Sequence, residues 1–459
     1  MRLSFEIENG VLKKCSGDSS LIAIPSTVTE LSTSAFFVSS CKAVEVPESV
    51  RIISPEAFNR GSIEEINVHK DNQHFMSENG VLYTKDKKTL LCYPGGKKEK
   101  YFRVPDGATT IGERAFFSSS LEFIELPFGV TNIGKAAFSF CQELEAIDLP
   151  SSLKEIGAYA FMGCDSLTVI DLPYGLESIG EGAFYRCKDL IGVEIPSTVK
   201  CIGQGLVMKC PQITDIDLDK DNMHYMVENG VLYTKDKKTL VYYHSEKMEK
   251  QFSIPNGVTT IGDGAFHRAD NLECVEIPDS VKVIGNNAFS ACRCLKKVKM
   301  SCEVTEICKR AFAGCRALSE IKIPMGIDAI NEGVFYSCES LKSIEIPDSV
   351  KVIGEGAFCG CKSLETINIP DGVCSIGEGA FSECKSLNNI VIPSGITDIG
   401  NRTFHQCRGL SNLEILGEIK SVGDGAFIGC AKLKAIKLSK DCKMGIDWNL
   451  LCNAQVIHE

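Results

Sequence analysis

Apolar residues recur along this chain with a period of 23 residues. The repeated pattern is Ile-Gly-x-x-Ala-Phe-x-x-Cys-x-x-Leu-x-x-Ile-x-Ile-Pro, and from Phe266 to Phe427 it runs through seven periods without a shift. Phe36 and Phe58 extend the series toward the N-terminus, and Val207 takes the Phe position in one unit. A fixed period of this length indicates a repeat architecture in which each unit buries its apolar side against its neighbours.

Each unit is predicted to contain a short strand followed by a tight turn. Leu341 to Ile346 alternates apolar and polar residues with period 2, which is typical of a strand with one buried face. Pro347 ends this strand, because proline has no N–H group for the ladder. After Gly354 we expect a short helical or 3₁₀ turn, or equally a tight irregular turn, that buries Ala357 and Phe358. Stacked units predict a curved, right-handed solenoid with a parallel β-sheet on its concave face.

The period is interrupted twice, by two segments that match each other. Asp71 to Pro94 and Asp221 to His244 align with an offset of 150 residues, which indicates a duplicated block. In the first copy, Val81 to Tyr83 and Leu90 to Tyr93 resemble strands, and Asp86 to Lys88 is a polar turn, so an inserted β-hairpin is predicted. Two interpretations stay open: the hairpin continues the core, or it protrudes and offers exposed Tyr and Lys side chains to a ligand.

These features predict one solenoid over the whole chain, 1–459. In the tail, Trp448 and the apolar residues around it would shield the open end of the core, as a terminal repeat must. The predicted subdivisions are an N-terminal cap or first unit at 1–35, hairpin inserts at 71–100 and 221–250, and a C-terminal cap at 440–459.

Cysteine is concentrated at one position of the repeat. Of the 23 Cys, eleven stand three residues after the Phe, and Cys41 fits with a local shift. Free cysteine behaves as a small buried hydrophobe, so we expect a buried cysteine ladder. Disulfides between adjacent turns are a weaker alternative, because equivalent positions point their Cβ atoms the same way. Zinc is a third alternative, which the absence of a C-x-x-C pair disfavours.

Composition and charge exclude several classes of protein. A chain with 44% hydrophobic and 24% charged residues can bury a core. With 49 Lys and Arg against 60 Asp and Glu, the net charge of −11 argues against nucleic-acid binding. Neither a signal peptide nor an apolar run long enough for a transmembrane helix is visible, so a cytoplasmic location and no membrane insertion are expected for the chain as written.

No motif for catalysis or nucleotide binding stands out. The patterns G-x-x-x-x-G-K-[ST], H-E-x-x-H and G-x-S-x-G are absent from the sequence, and the seven His are scattered. Glycine pairs such as Gly262 and Gly264 recur with the repeat, so we interpret them as turn residues. We therefore expect no enzymatic activity, no cofactor and no metal site.

One residue of each predicted strand points onto the concave face, between the two inward Ile positions. Early in the chain these residues are all acidic, and neighbouring carboxylates in a sheet repel one another. A basic patch follows. The stripe is either ordinary surface solubility or a ligand surface that favours basic proteins. The partner-binding candidates are Glu125, Asp148, Asp171, Glu194, Asp217, Glu276, Lys296, Lys297, Lys299 and Lys322.

The repeat itself resembles a known family. Ile353 to Pro370, and again Ile376 to Pro393, are similar to the leucine-rich repeat of bacterial BspA-like proteins, also called the Treponema pallidum type. The resemblance implies an α/β leucine-rich-repeat solenoid, often at the cell surface or secreted, that binds host matrix or cell-surface proteins. It thus implies a non-enzymatic, adhesin-like protein-binding function, and we expect a monomer. The alternative is a cytosolic scaffolding repeat protein without a dedicated surface ligand.

Overall fold

The computed structural model describes residues 3–17, 19–33, 35–36, 41–58, 62–213, 216–245, 247–438 and 455–458. The chain divides into two compact units, an N-terminal unit, Met1–Gly230, and a C-terminal unit, Val231–Glu459. All regular elements in the described ranges are β-strands, and these ranges hold no helix long and apolar enough to cross a membrane. The predicted C-terminal cap, with Trp448, lies outside the described residues except for one strand near its end.

Ladder A is formed by the strands that follow Leu-x-x in each repeat. Neighbouring strands pair in parallel one repeat apart, so that Ile124 lies beside Ile147 in the interior. In the N-terminal unit the strands of ladder A are Leu21–Ala23, Ala43–Val46, Glu65–Val68, Tyr101–Arg103, Phe123–Glu125, Ala146–Asp148, Glu194–Ile195 and Asp217–Leu218. In the C-terminal unit they are Gln251–Ser253, Cys274–Glu276, Lys297–Lys299, Glu320–Ile321, Ser343–Glu345, Thr366–Asn368, Asn389–Ile392, Asn412–Ile415, Ala435–Leu438 and Gln455–His458.

Ladder B is a second parallel ladder, formed by the return segment that ends in Ile-Gly. Ile133 pairs in register with Ile156, again one repeat apart. In the N-terminal unit its strands are Glu30–Leu31, Ile52–Ile53, Thr89–Cys92, Thr110–Ile111, Asn132–Ile133, Glu155–Ile156, Ser178–Ile179 and Cys201–Ile202. In the C-terminal unit they are Thr239–Tyr243, Thr260–Ile261, Val283–Ile284, Glu306–Ile307, Ala329–Ile330, Val352–Ile353, Ser375–Ile376, Asp398–Ile399 and Ser421–Val422. The prediction of a parallel-strand β-solenoid is confirmed.

The segment with Ala-Phe forms consecutive turns instead of the predicted helical or 3₁₀ turn. Gly356, Phe358 and Gly360 donate their N–H groups to the next repeat, at 2.9, 2.8 and 2.8 Å, while Ala357 and Cys359 donate three residues back. Gly356 and Gly360 have φ of 57° and 76°, in the left-handed region that interrupts a right-handed helix. Because alternate N–H groups bond to the neighbouring turn, this segment is a third hydrogen-bonded side of the solenoid, and the helical detail of the prediction is not confirmed.

The remaining strands lie at the N-terminus and in the inserts, where they form antiparallel pairs. Ser4–Glu8 pairs with Val11–Ser16 at the N-terminus. Val11–Ser16 also pairs in parallel with the ladder B strand Glu30–Leu31. In the first insert, Phe75–Glu78 pairs with Val81–Thr84, which in turn pairs with the ladder B strand Thr89–Cys92. The second insert contributes Tyr225–Glu228 to the N-terminal unit, and Val231–Thr234, which pairs with Thr239–Tyr243, to the C-terminal unit.

Each insert begins with a buried asparagine that is hydrogen-bonded on both sides. The Asn72 Nδ2 donates to the carbonyls of Pro47 and Val50, both at 2.9 Å, and its Oδ1 accepts the N–H groups of His74 and Phe75, both at 2.9 Å. Its counterpart Asn222 makes the same four contacts one block later. The side chain therefore fixes the start of the insert to the preceding turn.

The core is organised around a stack of Phe rings. Phe289 and Phe312 lie with their ring centroids 5.2 Å apart and their planes at 1°, and both are fully buried. Val207, predicted to occupy the Phe position of one repeat, is also buried. Burial of each such side chain contributes about 1.5–3 kcal/mol, so the stack supplies much of the stability of every turn.

Two tyrosines of the inserts continue this stack. Tyr93 lies 5.4 Å from Phe116, and Tyr243 lies 5.0 Å from Phe266, between ring centroids. Each tyrosine precedes its Phe by the same 23 residues that separate successive Phe anchors, a spacing that the sequence interpretation missed. Tyr83 is buried as well, so these tyrosines favour the interpretation in which the insert continues the core.

The cysteine ladder is buried and hydrogen-bonded. Each of the eleven Cys is buried. Its Sγ donates to the carbonyl oxygen of the Phe in the preceding repeat, at 2.9–3.3 Å. Cysteine suits this position because it is small and apolar and still offers a weak donor to a buried carbonyl.

Substitution of Tyr93 tests whether the insert belongs to the core. Tyr93→Ala removes a ring from the stack and should lower the free energy of unfolding by about 3–5 kcal/mol. Tyr93→Phe keeps the ring and loses only the hydrogen bond from the hydroxyl to Glu99, at 2.7 Å, so its cost should be about 0.5–1.5 kcal/mol. Urea unfolding followed by circular dichroism measures both, and equal effects of the two variants would contradict the stacking role.

Alkylation tests the cysteine ladder. Iodoacetamide at about pH 8 attacks thiolates, and burial raises the pKa of Cys141 to about 11 and the pKa of Cys292 well above its usual value. Exposed Cys294 should therefore react in the folded protein while Cys292, two residues away and buried, should not. Peptide mass spectrometry reads the label on each residue, and the urea-unfolded chain is the control in which both react. Equal labelling in the folded state would show that the ladder is open.

Candidate functional site

The acidic stripe lies on the exposed face of ladder A in the N-terminal unit. Asp148, Asp171, Glu194 and Asp217 are exposed, and Glu125 is half-buried. The register places Glu125 beside Asp148, and Glu194 beside Asp217. Paired strands are about 4.8 Å apart, so carboxylates on adjacent turns repel one another.

The first member of the stripe is neutralised within the protein. The Glu125 carboxylate accepts hydrogen bonds from the Tyr101 hydroxyl at 2.6 Å and from the Arg103 Nε at 2.9 Å. These two bonds, with the one from Tyr101 the larger influence, hold the pKa of Glu125 below its usual value. Binding a basic partner at Glu125 would therefore compete with an ion pair that already exists.

The next four members are not neutralised. Within the described ranges, the side chains of Asp148, Asp171, Glu194 and Asp217 form no ion pair and no hydrogen bond. Four turns of ladder A thus carry four exposed carboxylates with no cation between them. This arrangement is open to an external positive charge.

Ladder A of the C-terminal unit distributes its charges differently. Glu276 pairs with Lys299 of the next turn and accepts a bond from the Ser253 hydroxyl at 2.9 Å. The hydrogen bond from Lys299 is the largest cause that holds the pKa of Glu276 below its usual value. Lys297 pairs with Glu320 at 2.8 Å. In this part of the stripe these charges are therefore neutralised by opposite charges on the next turn.

The predicted basic patch is broken up by the same pairing. Lys296 lies 2.7 Å from Glu273, and that carboxylate also pairs with Lys250 at 3.0 Å. Lys322 is exposed, and no ion pair to a described residue involves it. Exposed pairs of this kind add little stability, so they chiefly cancel charge.

A groove opens beside the acidic residues in the N-terminal unit. Its volume is about 520 Å³, and Asp171, Glu194 and Asp217 lie along it. Ladder A narrows there to a single bridge between Val169 and Gly192. The groove was not predicted from the sequence, although Gly192 stands where the two preceding repeats have Val169 and Ala146, which was a visible signal.

One further cluster could hold a cation by the types of its side chains. Among the described residues, a ligand atom from each of Glu48, His69 and Asp71 lies within 4.8 Å of the others, and all three residues are exposed. The His69 Nδ1 accepts the Asp71 N–H at 3.3 Å. Sequence spacing did not reveal this cluster, because Glu48 comes from a different segment of the repeat.

The repeat assigns the chain to a family. The model of the BspA type leucine rich repeat region matches residues 5–79, 98–229, 239–365 and 328–453. This protein belongs to the BspA type leucine-rich repeat family, as the repeat predicted. No curated protein matches it.

Three of the solved structures similar to this chain are bacterial leucine-rich repeat proteins. One from Eubacterium ventriosum is 25% identical, with a TM-score of 0.53 over 76% of this chain and 92% of that one. A leucine rich cell surface protein from Faecalibacterium prausnitzii is 24% identical, with a TM-score of 0.44 over 99% and 96% of the two chains. One from T. pallidum is 26% identical, with a TM-score of 0.32 over 47% and 89%.

Proposed function

We propose that this protein is a non-enzymatic, adhesin-like interaction module that binds a protein partner with a basic surface. The binding surface is the exposed face of ladder A in the N-terminal unit. The observation that carries the proposal is the row of four exposed carboxylates, Asp148, Asp171, Glu194 and Asp217, none of which forms an ion pair with a described residue. Leucine-rich repeat proteins are generally protein-binding and non-enzymatic, which supports the same class of function.

Charge repulsion gives the surface its selectivity. Carboxylates on successive turns raise one another's energy, and a basic partner relieves this repulsion when it binds. Since the residues are exposed, salt screens the attraction over about 8–10 Å. The complex should therefore form quickly at low ionic strength and weaken as salt is added.

The remaining candidates contribute less in this proposal. Glu125 is held by Arg103, and Glu276 by Lys299, so a partner must first displace an internal ion pair. Lys296 and Lys297 are similarly engaged with carboxylates. The partner is thus expected to contact the N-terminal unit more strongly than the neutralised ladder of the C-terminal unit.

Charge reversal of the four carboxylates to Lys tests the proposal. The immobilised chain captures partners from host-cell extracts, and the affinity for each purified partner is then measured by biolayer interferometry. Loss of four contacts at about 0.2–1 kcal/mol each amounts to about 0.8–4 kcal/mol and should raise Kd by about fourfold to about 700-fold. In about 1 M salt, binding of the parent chain should fall toward that of the variant.

A matched variant controls for net charge. Glu355, Asp371, Glu418 and Asp424 are exposed residues of the C-terminal unit outside ladder A, and their reversal to Lys changes the net charge equally. This control should leave Kd unchanged within about twofold. If both variants bind the partner as the parent does, the carboxylate row is only a soluble surface, and the scaffolding alternative takes its place.

A further inference from the structure

The groove in ladder A combines exposed apolar side chains with the unpaired carboxylates. Val169, Ile191 and Tyr174 line it and are 49%, 63% and 75% exposed. Apolar groups of this size are usually covered in a monomer when they cluster, and a cluster left open is typical of a binding site. The groove therefore offers a contact that charge alone does not provide.

Gly192 leaves an unfilled space in the floor of this groove, because it has no side chain. A Cβ atom built there would meet only the Asp217 Oδ2, at 3.9 Å, so a side chain from outside has room to enter. The N–H of Ile191 is bonded to the Thr168 carbonyl at 3.0 Å, which fixes the backbone on this side. The cavity is thus a feature of the folded backbone.

Carboxylates line the groove around the unfilled space at Gly192. Asp171, Glu194 and Asp217 have no cationic partner among the described residues. Asp219 lies at the end of the groove, where its two carboxylate oxygens accept the N–H groups of Asp221 at 2.9 Å and Ser197 at 3.3 Å. Three carboxylates therefore remain available to a ligand, beside an apolar surface.

We infer that this groove binds a short, extended peptide segment in which arginine and a bulky apolar residue take turns at every second position, so that both kinds of side chain point to the same face. The apolar side chain enters the space above Gly192, against Val169 and Ile191, and the guanidinium groups pair with Asp171, Glu194 and Asp217. This inference rests on the proposed function, since it names the segment by which a basic partner would be recognised.

Ion pairs to the carboxylates and apolar contacts to the wall are both needed to cover the whole groove. Guanidinium groups bind carboxylates through two parallel hydrogen bonds and are weakly hydrated, so they suit a site with an apolar wall better than lysine does. A metal ion would use the carboxylates and leave Ile191 and Tyr174 uncovered. An uncharged apolar peptide would leave three carboxylates beside it without counter-charge. A segment that carries both kinds of side chain matches the whole groove.

Fluorescence anisotropy with synthetic peptides tests the inference on the full chain. The probe, called the Arg–Leu peptide, is a labelled repeat of Arg-Ser-Leu-Ser. The comparison peptides replace its Leu with Ser (the Arg–Ser peptide) or its Arg with Glu (the Glu–Leu peptide). At about 0.15 M salt, the Arg–Leu peptide should bind at least about tenfold more tightly than either comparison peptide. Equal Kd values for the Arg–Leu and Arg–Ser peptides, or no binding of the Arg–Leu peptide, would overturn the inference.

Gly192→Leu is the decisive variant because it fills the groove from within. The backbone at Gly192 is outside the left-handed region and the nearest atom leaves space for a side chain, so the variant should fold. Its Kd for the Arg–Leu peptide should rise at least about tenfold. Gly95→Leu is the matched control, since a Cβ there meets no atom within 4 Å, and it should bind like the parent chain. An unchanged Kd in Gly192→Leu overturns the inference, provided that both variants keep the parent unfolding midpoint.

The outcome is separable from that of the proposed function. A captured partner that loses affinity on charge reversal but binds Gly192→Leu normally supports the acidic surface and overturns the groove. The remaining possibility is that the groove binds a cation, which titration with calcium alone tests by calorimetry. The inference is overturned in favour of a cation if calcium gives a binding heat that Glu194→Gln removes and the chain does not bind the Arg–Leu peptide.

Discussion

Hydrogen bonding between successive turns is the interaction on which the rest of the structure depends. Backbone groups of ladder A, ladder B and the Ala-Phe turns all bond to the neighbouring repeat. Once three sides of a turn are bonded in this way, equivalent side chains must lie one above another. The Phe stack and the cysteine ladder both follow, because one residue type that fits the interior fits it again at every turn.

The same constraint decides how extra sequence is accommodated. An insert can enter only if it leaves the turn-to-turn spacing intact, and it does so here through two residues. Asn72 bonds both to the preceding turn and to the insert, and Tyr93 returns the chain to the Phe stack. Much of the insert is therefore part of the interior, with Val81, Leu82 and Tyr83 buried.

Charge on the exposed face is free of this constraint and differs between the two units. In the C-terminal unit Lys299 faces Glu276, whereas in the N-terminal unit Asp217 faces Glu194. Both arrangements are compatible with the same backbone, since these side chains point away from the core. In the N-terminal unit the carboxylates still repel one another, although the C-terminal unit shows that the same backbone allows ion pairs. A positively charged partner can relieve this repulsion by binding.

The sequence by itself determined the period, the parallel strands and the outward direction of the acidic stripe, because each repeats with the turn. It did not determine whether Glu125 or Asp148 is neutralised, since that depends on Arg103 and Tyr101 from another turn. Tertiary structure alone decided that Gly192 opens a groove, and that the Ala-Phe segment bonds across turns instead of forming a helix. Periodic features can be predicted from the chain because they repeat, whereas pairing and cavities depend on which neighbours the fold brings together.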